Sequence, residues 1–368
     1  MKIAVIGAGP IGVEAALAAR RSGHDVVLYD RGATGRAVSS WGHIQLFTPW
    51  HMNTTEEGRR HVKLGSLEDC PTGEQFVAQY LRPLGRLLET REQHQLVSMT
   101  RDRLRKDQAI GARARQGRPF RLLFDTPAGE QVHIADAVFD CTGVLDGPNP
   151  AGAGGMVAPG ERALAAAGLV AYGVESTARL HGEHIAVIGA GATGTTVACA
   201  LAASGKTITW ISSGDIPGFV APEDDPLPQR RALMLAGQQL DAVTCAHACV
   251  ASMDAREPGV ALLLEDGTQV ACDGVAVCTG FRPDLQLSRE LQVHMCYASE
   301  GPMKLAAALL SSSGSGGDCL QQVAHGPETL VSPEPGYFVL GAKSYGRRND
   351  FLLTVGHQQI HDALSLLG

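Results

Sequence analysis

Two stretches of this chain share one pattern of apolar and polar positions. Residues 2–30, KIAVIGAGPIGVEAALAARRSGHDVVLYD, and residues 184–212, HIAVIGAGATGTTVACALAASGKTITWIS, each open with a short apolar run. In each, a GxGxxG turn follows, then a small-residue helix, a Ser-Gly stop and a second apolar run. The order strand, turn, helix, strand is that of a Rossmann half. A second pair repeats farther along. AVFDCTG (137–143) and VAVCTG (275–280) read as short buried strands ending in Cys-Thr-Gly. Before them lie hairpin-like stretches, FDTPAGEQVHI and LLEDGTQVAC, with Ala-Gly and Asp-Gly at the turns. Each unit is therefore expected to carry a small β-excursion and then one more parallel strand.

The Pro/Gly-dense segment GPNPAGAGGMVAPGE (147–161) marks a crossover rather than a regular element. Beyond the second unit, SRELQ (288–292) reads as helical and SSSGSGGD (311–318) as a mobile loop. The last piece, from Gly336, begins as a strand and ends as an apolar-periodic helix, expected to complete the first domain. The predicted class is α/β, with two Rossmann-like three-layer domains. One spans 1–150 and 300–368, and the other, 151–299, is inserted in it.

Composition adds bounds. The 368 residues suit about two domains of ~150 each. An apolar fraction of 44% describes an ordinary globular protein. A net charge of −7 argues against nucleic acid as the main partner, since phosphates need a cationic surface. One basic stretch, Arg101, Arg103, Arg105, Lys106, Arg113, Arg115, Arg118 and Arg121, reads as a solvated hairpin or loop edge, with a docking patch for an acidic partner as the alternative. Nine dispersed cysteines do not form a disulfide framework. The chain opens directly on a strand and a glycine turn, so no leader is expected. No run approaches ~20 apolar residues, so no membrane span is expected. The expectation is a reduced, cytoplasmic protein without a metal site, its oligomeric state left open.

The glycine turns carry the chemistry. In Gly7-Ala8-Gly9-Pro10-Ile11-Gly12 the first glycine makes the turn, the second admits a pyrophosphate, and the third lets helix pack on strand. The anion then sits at a helix N-terminus. Asp30, eighteen residues after Gly12, is positioned to accept hydrogen bonds from ribose hydroxyls. Gly189-Ala190-Gly191-Ala192-Thr193-Gly194 repeats the device, but eighteen residues after Gly194 stands Ser212, followed by Ser213. Two hydroxyls can donate to a 2′-phosphate that a carboxylate would repel, so the second site leans to NADPH, with NADH the alternative. Arg230 and Arg231 are distant candidates for the same phosphate, and a solvated helix face is their simpler reading.

Two GxGxxG units, each closed by a strand ending in Thr-Gly, resemble the flavoproteins with two dinucleotide-binding domains. That superfamily includes thioredoxin-reductase-like and glutathione-reductase-like enzymes, flavin monooxygenases and amine N-hydroxylases. The resemblance implies FAD in the first unit and NAD(P)H in the inserted one. It assigns Gly7, Gly9, Pro10, Ile11, Gly12, Asp30, Arg31, Trp41, Thr142, Gly143, Gly341 and Phe351 to the first cofactor. To the second it assigns Gly189, Gly191, Thr193, Gly194, Ser212, Ser213, Thr279 and Gly280. CTGFRPD (278–284) is similar to the superfamily's second Thr-Gly motif.

Departures point to a branch. Disulfide reductases of this type carry two closely spaced cysteines beside the flavin. Here the closest pair, Cys245 and Cys249, reads as structural thiols in a strand of the inserted domain. Such reductases also place Gly-Asp after the last strand, where this chain has Gly341-Ala342. The stretch KSYGRRNDFLLTVGHQQI is similar to that of flavin N-hydroxylases, which makes Asn349 a candidate over the flavin. Trp41-Gly42-His43-Ile44-Gln45-Leu46-Phe47-Thr48 and the helix start Pro71-Thr72-Gly73 resemble the flavin-lining region of monooxygenases, with Gln45 and Thr48 as contacts. The resemblance implies hydride transfer from NAD(P)H to flavin, and then oxygenation of a small nucleophile by O2. The alternative is a reductase serving a small-molecule or protein electron acceptor.

Overall fold

The computed structural model describes residues 1–111, 113–221, 223, 225–312 and 325–368. Its strands follow in chain order. Lys2–Ile6 (β1), Asp25–Tyr29 (β2) and Glu89–Arg91 (β3) come first. Gln95–Arg101 (β4), Phe120–Thr126 (β5), Gly129–Ala135 (β6) and Ala137–Asp140 (β7) follow. Val170–Tyr172 (β8), His184–Ile188 (β9), Thr207–Ile211 (β10) and Val243–Cys245 (β11) come next. Val250–Ala255 (β12), Val260–Leu264 (β13), Gln269–Cys272 (β14), Gly274–Val277 (β15) and Tyr337–Val339 (β16) complete the set. Pro10–Arg21 (α1), Ala192–Ala203 (α2) and Leu353–Ser365 (α3) are the helices that bear on the argument.

The chain forms two compact units, residues 1–147 with 282–368, and residues 148–281. The first holds a parallel sheet in the order β16-β7-β1-β2-β3 and an antiparallel sheet β4-β5-β6. The second holds a parallel sheet in the order β11-β10-β9-β15-β8 and an antiparallel sheet β12-β13-β14. Both are Rossmann-like α/β folds with a β-excursion. The strand beside each Thr-Gly strand differs in origin: β16 follows its unit's other strands in the chain, whereas β8 precedes them.

Each parallel sheet is covered on both faces, which is why its strands read as unbroken apolar runs. Ile3 and Val5 join a core with α1, while Ala4 and Ile6 join one with Phe120, Leu122 and Phe124 of the excursion. In the second unit Ile185 and Val187 pack with α2, and Ala186 and Ile188 pack with Val260 and Leu262. Each fully buried branched side chain contributes roughly 1.5–3 kcal/mol.

Several expectations are corrected. Residues 282–299 belong to the first unit, not the inserted one, because Leu287, Leu291 and Val293 pack against the core of Phe120, Leu122 and Tyr337. SRELQ is not a helix; only Gln286–Ser288 forms a 3-10 turn. Arg289 N and Leu291 N make only turn bonds, to Gln286 O and Ser288 O, and Gln292 N donates to Glu334 Oε2 at 2.8 Å. The basic stretch is not simply a solvated edge. Arg101 and Arg115 are buried against Glu334, with Arg101 Nε 2.6 Å from Oε1 and Arg115 Nη2 2.8 Å from Oε2. Burial opposes ionisation of Glu334, but hydrogen bonds from Arg115 and Arg101 overcome it and hold the carboxyl below its usual range. Their partner lies more than two hundred positions away, beyond any local pattern. Cys245 ends β11 and Cys249 precedes β12, so a turn separates them where a single strand was expected. Most of the Ser/Gly run, and Cys319, lie outside the described residues. No helix among the described residues is long and apolar enough to cross a membrane.

Candidate functional site

A cleft of about 650 Å3 opens at the carboxyl ends of β1, β7 and β16 in the first unit. That is the size of a cofactor pocket, at the edge where open parallel sheets bind ligands. Gly7, Gly9, Pro10, Ile11, Asp30, Arg31, Trp41, Thr142, Gly143, Gly341 and Phe351 all line it.

The three glycines of the turn have different surroundings. Gly7 has φ +101°, and a Cβ there would meet the carbonyl oxygen of Cys141 at 2.5 Å. A Cβ on Gly12 would collide with the carbonyl of Gly7, so this glycine packs behind the cleft rather than lining it. A Cβ on Gly9 would meet nothing within 4 Å. The space beside Gly9 is open, and no side chain caps the N-terminus of α1. Its first N–H groups and the helix dipole favour an anion there.

Asp30 lines the cleft. Its carboxylate accepts from Ala8 N at 2.7 Å and Gly32 N at 2.8 Å, and burial pushes the carboxyl above its usual range. Lone pairs are left for ribose hydroxyls. Arg31 and Arg36 both pair with Asp146 beside it. Trp41 is wedged by Gly73, where a Cβ would strike its ring at 2.9 Å. Gly73 opens a helical turn capped reciprocally by Thr72 and Gln75. Gly341 is held by Gln359 of α3, whose Oε1 accepts from Gly341 N at 2.9 Å.

Three candidates do not line the cleft. Gln45 is exposed, its amide donating to Cys70 O at 2.9 Å. Thr48 spends its hydroxyl on Asn53 Oδ1 at 2.6 Å. Asn349 is exposed in the turn that precedes α3.

The second unit repeats the turn. A Cβ on Gly189 would strike the Cys278 carbonyl, one on Gly194 the Gly189 carbonyl, and one on Gly191 nothing within 4 Å. No side chain caps α2, which begins just after Gly191 and contains Thr193. Ser212 is buried and its Oγ accepts from Gly214 N at 3.2 Å, so the hydroxyl proton can be donated elsewhere; Ser213 is exposed. Thr279 Oγ1 donates to Asn149 O at 2.7 Å beside Gly280. Asn149 Nδ2 donates to Thr279 O at 3.2 Å, and its buried Oδ1 has no partner among the described residues. Arg230 is engaged by Asp225, its Nε 2.7 Å from Oδ2.

The family model described as pyridine nucleotide-disulphide oxidoreductase matches residues 1–301. The chain belongs to this family. Its members are FAD- and NAD(P)H-dependent oxidoreductases. Among curated proteins, a nitric oxide reductase FlRd-NAD(+) reductase from Vibrio vulnificus (strain YJ016) is 31% identical over 109 residues. That stretch covers 29% of this chain and 28% of the relative's own length. Solved structures share the fold. A bacillithiol disulfide reductase from Bacillus cereus aligns with TM-score 0.72 at 18% identity, covering 100% of this chain and 99% of that one. A thioredoxin reductase from Lactococcus lactis aligns at 0.66 and 17%, covering 100% and 98%. A flavin monooxygenase from Stenotrophomonas maltophilia aligns at 0.64 and 20%, covering 100% and 97%.

The residues present fit the family's two cofactors. Open space beside Gly9 and Gly191, each at an uncapped helix start, matches a pyrophosphate in each unit. The orphaned Asn149 Oδ1 is an acceptor beside the second Thr-Gly end. Pattern reasoning missed Asn149, because it lies in a stretch that reads only as a crossover. It also missed a buried cluster under the first cleft. Asp140 Oδ2 accepts from Lys343 Nζ at 2.7 Å and from Tyr337 OH at 2.6 Å. Asp140 Oδ1 accepts from Thr142 Oγ1 at 2.7 Å, and Lys343 Nζ donates to the same Oγ1 at 2.9 Å. The charged partners are two hundred positions apart, and only the Asp next to Cys-Thr-Gly hinted at them.

Proposed function

We propose that this chain is an NAD(P)H-dependent FAD oxidoreductase that passes its electrons to O2 in the monooxygenation of a small nucleophilic substrate such as an amine or thiol. FAD takes the cleft of the first unit, with its pyrophosphate at Gly9 and its ribose at Asp30. NADPH takes the glycine turn of the second, with Ser212 and Ser213 at the 2′-phosphate. Bound FAD would supply the hydride acceptor. The protein's own residues bind and orient: uncapped helix starts hold the phosphates, and Trp41, Phe351 and Gly341 line the cleft.

The observation that carries the choice of acceptor concerns sulfur. Among the described residues, Cys141 alone of the cysteines lines the cleft. Burial pushes its thiol well above its ordinary value. A dithiol exchange beside the flavin needs two cysteines and a reactive thiolate. Among the described residues the cleft offers no dithiol sink, which supports an acceptor from outside the chain. A second reading, a reductase serving a protein or small-molecule acceptor, draws support from the sequence match to the Vibrio reductase.

One experiment separates these readings. Purified protein is expected to be yellow and to release FAD rather than FMN. It is reduced anaerobically with NADPH, and oxygen is then admitted while the flavin spectrum is recorded. Fast reoxidation in air supports the oxygenase. Slow reoxidation in air that a quinone, dye or protein acceptor accelerates replaces it with the reductase. In Gly191→Val, flavin stays bound but NADPH no longer reduces it; normal reduction of that variant reverses the assignment of the two sites.

A further inference from the structure

Beneath the floor of the first cleft lies a pair of opposite charges cut off from water. Asp140 is 0% and Lys343 1% exposed. Asp140 is the residue before Cys141 and Thr142, and Lys343 the residue after Gly341 and Ala342; all four of these neighbours line the cleft. The pair thus joins the two strand ends on which a ligand would rest. Stability alone does not explain it, because replacing a buried ion pair with well-packed apolar groups is often neutral or stabilising. Its hydrogen bonding reaches the cleft through Thr142, whose N–H and hydroxyl both donate to Asp140 Oδ1, at 3.2 and 2.7 Å. Thr142 Oγ1 gives its only proton to Asp140 and accepts from Lys343, so it has a single lone pair left.

We propose that Lys343 is a positioning residue of the cofactor cleft, which cancels the Asp140 carboxylate so that an anionic dinucleotide rests on an uncharged floor. This rests on the reading that the cleft takes FAD. Without the ammonium, Asp140 would be a buried carboxylate directly under a ligand that carries a pyrophosphate and whose flavin gains electrons on reduction. Burial would then favour its protonated form, and rising pH would force a negative charge into the floor. Among the described residues three titratable groups border on this charge: Lys343, the Tyr337 phenol and the Cys141 thiol. Burial raises the phenol and the thiol well above their ordinary values, so both stay neutral from about pH 6 to about pH 9.

The test compares Lys343→Met, Lys343→Arg and the double variant Asp140→Asn/Lys343→Met with wild type. FAD affinity of the apoproteins is measured by flavin fluorescence from about pH 6 to about pH 9, and the midpoint potential of the bound flavin by equilibration with a reference dye. In Lys343→Met the affinity should fall by about tenfold or more, the loss should grow as pH rises, and the potential should drop over the same interval. Lys343→Arg should recover most of the loss. The double variant leaves no uncovered charge, so its affinity should lie within about threefold of wild type at every pH. A pH-independent loss in Lys343→Met, or a folded double variant that still binds about tenfold more weakly, overturns the proposal. If Lys343→Met does not accumulate as folded protein, the double variant decides alone, near-wild-type affinity supporting the proposal and a tenfold loss overturning it. A wild-type protein that takes up no FAD would instead remove the reading beneath.

Discussion

The carbonyl oxygen of Cys141 lies 2.5 Å from the point where a Cβ on Gly7 would stand. The Thr-Gly strand end and the glycine turn are thus pressed together in the first unit, and Gly189 meets Cys278 in the same way in the second. The backbone contact explains why the two motifs recur as a pair. It also separates glycines that the fold requires from glycines that a ligand requires.

Gly7→Ala should destabilise the apoprotein, because φ +101° and the Cys141 carbonyl both oppose a side chain. The cost of such backbone strain is about 1–3 kcal/mol before the steric overlap is counted. Gly9→Val should change apoprotein stability by no more than ~0.5 kcal/mol, since its space is open, yet it should purify without flavin. Urea denaturation and flavin absorbance read the two effects. A Gly9→Val protein with full flavin content would mean the pyrophosphate lies elsewhere.

Ser212→Asp should reverse a preference for NADPH. The Ser212 Oγ accepts from Gly214 N, and a carboxylate can accept the same N–H, so the local backbone tolerates the change. Facing a 2′-phosphate, the added charge would cost ~1–3 kcal/mol, or roughly tenfold to a hundredfold in affinity. Steady-state KM values for NADPH and NADH check this. Equal use of both by the wild type would remove the basis of the argument.

Acid should weaken the protein through His357 of α3. Burial, then the charges of His361 and Arg59, lower its pKa from 6.5 to about 4, and its buried Nε2 has no partner among the described residues. The folded state therefore binds fewer protons than the unfolded one between these values. The contribution is fully present above pH 6.5 and is lost as pH falls toward 4, by ~1–3 kcal/mol. His357→Leu should flatten that part of the stability profile, measured by denaturant midpoints across the interval. An unchanged slope would show that other groups govern it.

Electron transfer should not depend on the inserted-unit thiols. Cys245 and Cys249 lie in residues 148–281, and neither lines the cleft. Cys245→Ser and Cys249→Ser should reoxidise in air at the wild-type rate, and the disulfide DTNB should be a poor acceptor. A large loss of turnover with DTNB on replacing either cysteine would identify a dithiol route after all.

Local sequence determined the repeated machinery of this protein. Glycine at 7, 9 and 12 and again at 189, 191 and 194, apolar runs before and after, and Thr-Gly at two strand ends are constraints that act over a few residues, so they are written as contiguous motifs. The central strands of both parallel sheets follow from them, and the Ala-Gly and Asp-Gly turns mark the two excursions. Tertiary structure decided everything that depends on distant partners. It drew residues 282–299 into the first unit through Leu291, buried Arg101 and Arg115 on Glu334, and turned Gln45, Thr48 and Asn349 away from the cleft. It also joined Asp140 to Lys343 across two hundred residues. A buried charge is tolerable only where its counter-charge arrives in space, and no periodicity along a chain records which residue that will be.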